Sequence, residues 1–354
     1  ADAAREIADR IMAHLALPYQ IEGRELFALA SIGIALSGPA SDSCDELMRN
    51  ADIAMYAAKS QGKARCVLFE QSMNEYAAER LALETDMRTA IDRGEMRVVY
   101  QPIVHLETGQ VIEVEALVRW DHPTRGTLSP TQFIPIAEES GLIVPLGAWV
   151  LRQAARDARE WEITYPTSPV TLSVNLSARQ FQEPGLVTTI KTILQETGLD
   201  ARRLKLEVTE SAMMQDVDAA VTILNQLKLL GIQLAIDDFG TGYSSLAQLR
   251  RLPVDILKID RAFVSRLEQD PEDEAVVRSI LSLAGSLNLN VTGEGIETAE
   301  QAGRLRSLGC TQGQGFFYAH PMSADDFETI LSTEPPVLPT AAPAPRRLAP
   351  PPAA

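Results

Sequence analysis

Residues 204–211 read LKLEVTES, residues 233–246 QLAIDDFGTGYSSL and residues 256–264 ILKIDRAFV. Each opens with a short apolar run of strand length and stops in an acid or a lysine followed by turn-forming residues. Between them lie amphipathic stretches such as Val217–Leu230, with apolar residues at helical spacing. Strand, polar end, helix, strand is the pattern of βα units around a parallel sheet.

Outward from these three runs the pattern holds from residue 95 onward. Eight strand-like runs occur, at Val98–Val104, Ile112–Trp120, Val170–Leu176, Leu204–Thr209, Gln233–Asp238, Ile256–Asp260, Asn290–Gly293 and near Gln314–Tyr318. Helical stretches fill the gaps at Pro130–Glu139, Gly147–Glu162, Leu186–Thr197, Val217–Leu230, Asp273–Leu287, Ala299–Leu308 and Ala324–Leu331. Eight strands over roughly 240 residues predict an α/β fold of the (β/α)8 TIM-like kind. Its first pair is irregular, because a hairpin-like HLETGQ (His105–Gln110) joins it in place of a helix.

Residues 1–70 read as a small α/β piece, with helical spacing at Ile7, Ile11, Met12 and Leu15 and a buried hairpin strand at Leu26–Leu36. A helix at Cys44–Lys59 and a closing strand at Ala64–Glu70 complete it. Seventy residues are few for an independent core, so this piece reads as truncated. Residues 71–92 form a charged helical connector, 93–333 the barrel, and 334–354 a disordered tail. Of the tail's residues Pro335–Ala354, eight are Pro and six Ala, a composition that stays extended.

Composition narrows the function. The chain has 354 residues, 48 acidic and 32 basic, for a net charge of −16. That balance argues against nucleic-acid partners, which require clustered Lys and Arg. Cys44, Cys66 and Cys310 are too scattered for a disulfide framework or a CxxC site, which fits a reducing, cytoplasmic setting. No apolar run approaches bilayer length. The chain opens inside a helical pattern, so upstream sensory segments, membrane-anchored ones included, are expected outside it.

In a (β/α)8 barrel, chemistry sits at the C-terminal ends of the strands. Those ends carry Glu115, Asn175, Glu207 with Glu210 just after, Asp237 and Asp238, Lys258 and Glu294, while Gln314 is expected to begin the last strand. Carboxylates crowded at one mouth repel each other and demand a cation. Hard oxygen ligands without His or Cys point to Mg²⁺ or Mn²⁺. Consecutive aspartates on a strand face opposite ways, so Asp237 and Asp238 can share a site only where their strand is ending. Two ions about 3.5–4 Å apart are the usual clamp for in-line phosphoryl chemistry.

The run Glu115-Ala116-Leu117 within EALVRW resembles the name-giving motif of EAL-domain cyclic-di-GMP phosphodiesterases. The likeness spans about residues 81–333. It takes in YQPIV (Tyr100–Val104), SVNLSARQF (Ser173–Phe181), LEVTES (Leu206–Ser211), DDFGTGYSSL (Asp237–Leu246), LKIDRAFV (Leu257–Val264), GEGIET (Gly293–Thr298) and GQGFFYAHP (Gly313–Pro321). The resemblance implies two-metal hydrolysis of cyclic-di-GMP to linear pGpG. It implies that Glu115, Asn175, Glu207 and Asp237 hold one ion, and that Asp237, Asp238 and Glu294 hold the second.

It further implies that Lys258 lies beside the attacking water, that Glu210 braces the loop after the fifth strand, and that Glu297 and Gln314 give secondary support. Gln101, Leu117, Arg119 and Gln314 match substrate-contacting positions; the Arg119 fork also suits a pair of phosphate oxygens. Gly293 stands where the family usually shows Ala. A homodimer through the barrel, coupled by the loop after the fifth strand, belongs to the same expectation. A receptor that binds cyclic-di-GMP without turning it over is the alternative. Residues 1–70 resemble the C-terminal half of a GGDEF diguanylate cyclase domain through SIGIAL (Ser31–Leu36) and NADIAMYAAKSQGKARCVLF (Asn50–Phe69). Lys59 and Arg65 match phosphate-contacting positions, yet the signature motif is absent and no cyclase activity is expected of this segment.

Overall fold

A computed structural model describes residues 1–21, 24–26, 30–37, 43–60, 64–240, 246–268, 270–333 and 335–338. It divides into two compact units, one of residues 1–89 with 131–139, the other of residues 90–130 with 140–354. Among the described residues no helix is long and apolar enough to cross a membrane.

The smaller unit holds α1 (Asp2–Leu15), the antiparallel pair β1 (Tyr19–Ile21) and β2 (Arg24–Leu26), then β3 (Ile32–Ile34), α2 (Cys44–Ser60), β4 (Cys66–Leu68) and α3 (Ser72–Ala90). β3 and β4 pair in parallel. Of the expected hairpin strand at Leu26–Leu36, Leu26 ends β2 and Ile32–Ile34 form β3, while residues 27–29 lie outside the described ones. Helix α2 runs hard against β3 because Gly33 has no side chain: a Cβ there would sit 2.1 Å from the Ala51 carbonyl oxygen. The unit also includes most of α4 (Pro130–Ser140). Glu139 of α4 pairs with Arg80 of α3 at 2.5 Å, and the Arg80 guanidinium lies 5.1 Å from the Tyr56 ring of α2.

The larger unit begins with β5 (Met96–His105), β6 (Val111–His122) and β7 (Gly126–Leu128). After α4 come α5 (Ile143–Thr164), β8 (Thr171–Leu176), α6 (Ala178–Phe181), α7 (Leu186–Thr197), β9 (Leu204–Thr209), α8 (Glu210–Met214) and α9 (Val217–Leu229). The chain continues through β10 (Gln233–Phe239), α10 (Leu246–Leu249), β11 (Ile256–Ile259), α11 (Arg261–Ser265), α12 (Pro271–Leu287), β12 (Asn290–Gly293), α13 (Ala299–Ser307), β13 (Gln312–Gly313) and α14 (Ala324–Leu331). Strands β5, β13, β12, β11, β10, β9, β8 and β6 follow one another, and β6 returns to β5, so the sheet closes. The expected eight-stranded barrel is borne out, irregular first hairpin included: β5 is antiparallel to both neighbours, and the other pairings around the ring are parallel.

Strand alternation explains why the runs looked apolar. Leu204, Leu206 and Val208 are nearly fully buried on one face of β9, and Leu234 with Ile236 and Leu257 with Ile259 repeat this on β10 and β11. The alternate positions, Lys205, Glu207, Asp237 and Lys258, then share the opposite face.

Two details differ from expectation. The last strand is Gln312–Gly313, so Gln314 follows it rather than beginning it. Residues 314–318 wrap the Ile296 backbone, with Ile296 N–H donating to Gln314 O and Phe317 N–H to Ile296 O, both at 3.0 Å. A Cβ on Gly315 would lie 2.0 Å from the Ile296 carbonyl oxygen. Gly315→Ala is therefore expected to cost about 2–3 kcal/mol, because backbone cannot yield as a side chain would. Thermal denaturation should show a Tm lowered by roughly 5–10 °C; an unchanged Tm would contradict the close approach. The second detail is the tail. Residues 336–338 are held, with Val111 N–H donating to Pro336 O at 2.8 Å and Leu338 N–H to Gly109 O at 2.9 Å. Residues 339–354 lie outside the described ones.

Candidate active site

Glu115 is the third inward residue of β6, in register with Ser173 of β8 and Gln101 of β5. Asn175 of β8 is in register with Glu207 of β9. These pairings bring polar side chains of four strands together at one end of the barrel. Asn175 Nδ2 donates to Glu115 Oε1 at 2.5 Å, and Gln314 Nε2 donates to Glu115 Oε2 at 2.6 Å and to Gln101 Oε1 at 3.2 Å. Gln101 Nε2 in turn donates to Ala319 O at 3.1 Å. Ser173 Oγ donates to Glu207 Oε1 at 2.5 Å.

Asp237 and Asp238 share the site through a break in β10. The β10–β11 register shifts between Ile236 and Phe239, and Asp238 adopts φ +54°, a left-handed conformation that costs a non-glycine residue energy. This turns Asp238 to the same side as Asp237, as the sequence required of a strand that is ending. Glu210, the first residue of α8, accepts from Gly240 N–H at 3.0 Å and so holds the chain just after this break. Residues 241–245 of DDFGTGYSSL lie outside the described ones.

Lys258 is 1% exposed and stands at the centre of the carboxylates. Its Nζ lies 2.5 Å from Glu294 Oε1, 3.4 Å from Asp237 Oδ1 and 4.0 Å from Glu115 Oε2, and it donates to Glu207 Oε2. Burial opposes the ammonium charge, but Asp237, Glu115, Glu207 and Glu294 outweigh it and raise the lysine well above its ordinary value. Burial drives the Glu207 carboxyl up to about 8 against the pull of Lys258, and it raises Glu294 well above the carboxylate range. Asp238 rises to about 6 through half-burial, the neighbouring Asp237 charge and a hydrogen bond with Asp260. Every one of these carboxyls is thus short of positive charge.

The donor set fits hard divalent ions. Carboxylate oxygens of Glu115, Glu207 and Glu294 lie within 4.8 Å of one another, as do those of Asp237, Asp238 and Glu294. Asp237 Oδ1 is buried with no hydrogen-bond partner among the described residues. Above the acids opens a cleft of about 260 Å³ lined by Gln101, Glu115, Leu117, Asn175, Asp237, Lys258, Arg261, Glu294, Gly295, Glu297, Gln314, Gly315 and Phe316.

Of the candidates named from sequence, Glu207, Glu210 and Asp238 lie beneath or beside this lining, and the substrate-contacting candidate Arg119 does not line the cleft. It lies half-buried on β6, four residues beyond Glu115, and its Nη1 donates to Val118 O at 2.8 Å. Burial and the Arg97 charge lower its pKa against the pull of Glu115. Glu297 lines the mouth, its backbone N–H donating to Gln301 Oε1 at 2.7 Å.

Sequence reasoning missed Arg261, Phe316 and Ser173. Ser173 was legible, since it sits two residues before Asn175 and alternation puts both on one face. Arg261 follows the KID run and faces the cleft because Gly295, at φ +66°, has no side chain; a Cβ there would lie 2.5 Å from the Arg261 Cβ. Phe316 is 52% exposed, and its ring centroid is 4.2 Å from that of His320. No periodicity marks an exposed aromatic in a loop. Gly293, where the family usually shows Ala, is filled by a neighbour: a Cβ there would meet Leu305 Cδ1 at 2.7 Å.

Residues 84–321 match the EAL domain family model, and residues 1–65 match that of the diguanylate cyclase, GGDEF domain. A bifunctional diguanylate cyclase/cyclic di-GMP phosphodiesterase, MucR of Pseudomonas aeruginosa, is 46% identical over 92% of this chain and 47% of its own length. The cyclic di-GMP phosphodiesterase PdeR of Escherichia coli is 39% identical over 92% of this chain and 49% of its own. The chain spans about half the length of these curated relatives. A solved MucR phosphodiesterase in complex with cyclic-di-GMP superposes with a TM-score of 0.68 at 46% identity, covering 70% of this chain and 99% of that one.

Proposed function

The chain belongs to the EAL-domain family, and from that premise we propose that it is a metal-dependent phosphodiesterase that opens cyclic-di-GMP to linear pGpG. The observation that carries the reading is the ring of carboxylates from β6, β9, β10 and β12 closing on one buried lysine at the floor of an open cleft. Glu115, Asn175, Glu207 and Asp237 would hold one Mg²⁺ or Mn²⁺ ion, and Asp237, Asp238 and Glu294 a second. When bound, the ions supply Lewis-acid activation of water and neutralise phosphate charge.

The chain's own groups do the rest. Glu115 is oriented by two amide donors, so its free lone pairs point into the cleft. Lys258 supplies a fixed positive charge beneath the phosphate, where negative charge grows as one P–O bond forms to water and the P–O3′ bond breaks. The released 3′ oxygen leaves as a hydroxyl once it has taken up a proton. Arg261, which lines the cleft, offers a guanidinium fork for phosphate oxygens, while Gln101, Leu117 and Gln314 contact the ligand. The Phe316 face suits stacking of a guanine base. Glu210 holds the turn that places Asp238, and Glu297 supplies an acid at the mouth. A homodimer through the barrel and a cytoplasmic setting belong to the same proposal.

Incubating the protein with cyclic-di-GMP and Mg²⁺, with EDTA as control, tests the reading by chromatography. Metal-dependent appearance of pGpG is expected. Saturable binding with no product in either Mg²⁺ or Mn²⁺ would make the protein a receptor.

A further inference from the structure

Two residues below the carboxylates of the mouth, two of the same strands carry a second pair of charges. Glu113 lies at i−2 from Glu115 on β6, and Lys205 at i−2 from Glu207 on β9, so alternation turns all four into the barrel. The Lys205 and Glu113 side chains are 1% and 5% exposed, and Lys205 Nζ donates to Glu113 Oε2. β6 and β9 are not neighbours: β8 lies between them. The ion pair therefore bridges a strand. On that strand Ser173, fully buried and in register with both Glu115 and Lys205, bonds upward to Glu207.

Two residues before Asp237 and Lys258 on their own strands stand Ala235 and Ile256, both buried and apolar. The positions two residues below Asn175, Glu294 and Gln314 are the neutral polar Ser173, Thr292 and Gln312, with Thr292 Oγ1 donating to Gln312 Oε1 at 2.9 Å, so full charges stand only beneath Glu115 and Glu207. Buried ion pairs are a poor way to gain stability, since apolar residues of similar volume serve as well or better. What such a pair supplies is a directed bond of fixed length.

We propose that the Glu113–Lys205 pair is a positioning device that clamps β6 to β9 across β8 and sets the spacing of Glu115 and Glu207 for a divalent ion. The inference rests on the ion-binding reading above.

Geometry distinguishes the ions that could report on this clamp. Mg²⁺ demands near-ideal octahedral ligands at about 2.0–2.1 Å, whereas Ca²⁺ accepts flexible arrangements at about 2.3–2.6 Å. A loosened cradle should lose Mg²⁺ selectively. Single removal of Lys205 would strand Glu113, whose Oε1 has no hydrogen-bond partner among the described residues, so the variant to make is the double Glu113→Leu/Lys205→Met. On the full chain, titration calorimetry without substrate should show Mg²⁺ affinity reduced about 10–100-fold. Ca²⁺ affinity should change less than about threefold, with Tm within a few degrees of the parent.

Glu113→Asp keeps both charges but shortens the arm by one methylene, and it should shift the Mg²⁺/Ca²⁺ ratio in the same direction. Parent-like Mg²⁺ affinity in the double variant, or equal losses of both ions, would overturn the clamp. So would a Glu113→Asp protein that folds with an unchanged ratio. A parent that binds no Mg²⁺ would instead remove the ion-binding reading, and the clamp with it.

Discussion

Glu115→Ala is expected to reduce cyclic-di-GMP hydrolysis by on the order of 10³-fold or more, with the loss traceable to metal rather than to unfolding. Glu115 accepts from Asn175 and Gln314, and both its oxygens are oriented before any ligand arrives. Removing it takes one acceptor from each amide, with Gln314 keeping Gln101 Oε1, at a cost of about 1–3 kcal/mol for each N–H that water does not reach. The same change takes away one of four negative charges crowding Lys258, which relieves repulsion among the carboxylates that remain. The two effects oppose each other, so the metal-free Tm should move little. Glu115→Gln separates charge from shape. It keeps a side chain of the same length and can still accept from one of the two amides, but it presents no anion. It should be nearly as inactive as the alanine variant, and raising Mg²⁺ should recover only part of the loss. A fast Glu115→Gln enzyme would show that Glu115 orders its neighbours without holding an ion.

How much of this was legible in the sequence depends on which periodicity carried the information. The barrel could be read because helix-covered strands put leucine, isoleucine and valine at alternate positions, and because each run ends where its acid begins. Strand eight was misplaced by a few residues. Its two-residue length is below any periodic signal, and the aromatic run Phe316–Tyr318 that looked like a strand folds around Ile296 instead. The short helices α6, α8, α10 and α11 were missed for the same reason: four or five residues complete barely one turn. Within the site, carboxylates at strand ends announced themselves, since buried like charges have few structural uses. Arg261 and Phe316 did not, because their access to the cleft depends on loop geometry and on a glycine across from them. The φ +54° of Asp238 lay between. Two adjacent aspartates said the strand must end, but only the register shift between Ile236 and Phe239 shows how.

Lys258→Met is the second large effect, and it should appear in two measurements of opposite metal dependence. In the metal-free protein the Lys258 ammonium is the cation shared by Glu207, Glu294, Asp237 and Glu115. A methionine fills similar volume and removes that charge, so the carboxylates must take up protons or repel. Loss of one partner from a buried ion cluster costs about 3–5 kcal/mol, which for a domain of this size lowers Tm by roughly 10 °C. Divalent ions binding only the folded state should recover much of that loss, so Mg²⁺ should raise the Tm of the variant more than that of the parent. Turnover should behave otherwise. With metal saturating and the fold restored, the fixed charge beneath the phosphate is still missing, and kcat should remain about 10²–10³-fold low. KM should change little, because the lysine acts on charge that develops during reaction more than on the bound ligand. A variant whose kcat returned with its Tm would make Lys258 a structural counter-ion alone, and the positive charge in the transition state would have to come entirely from the metals and Arg261.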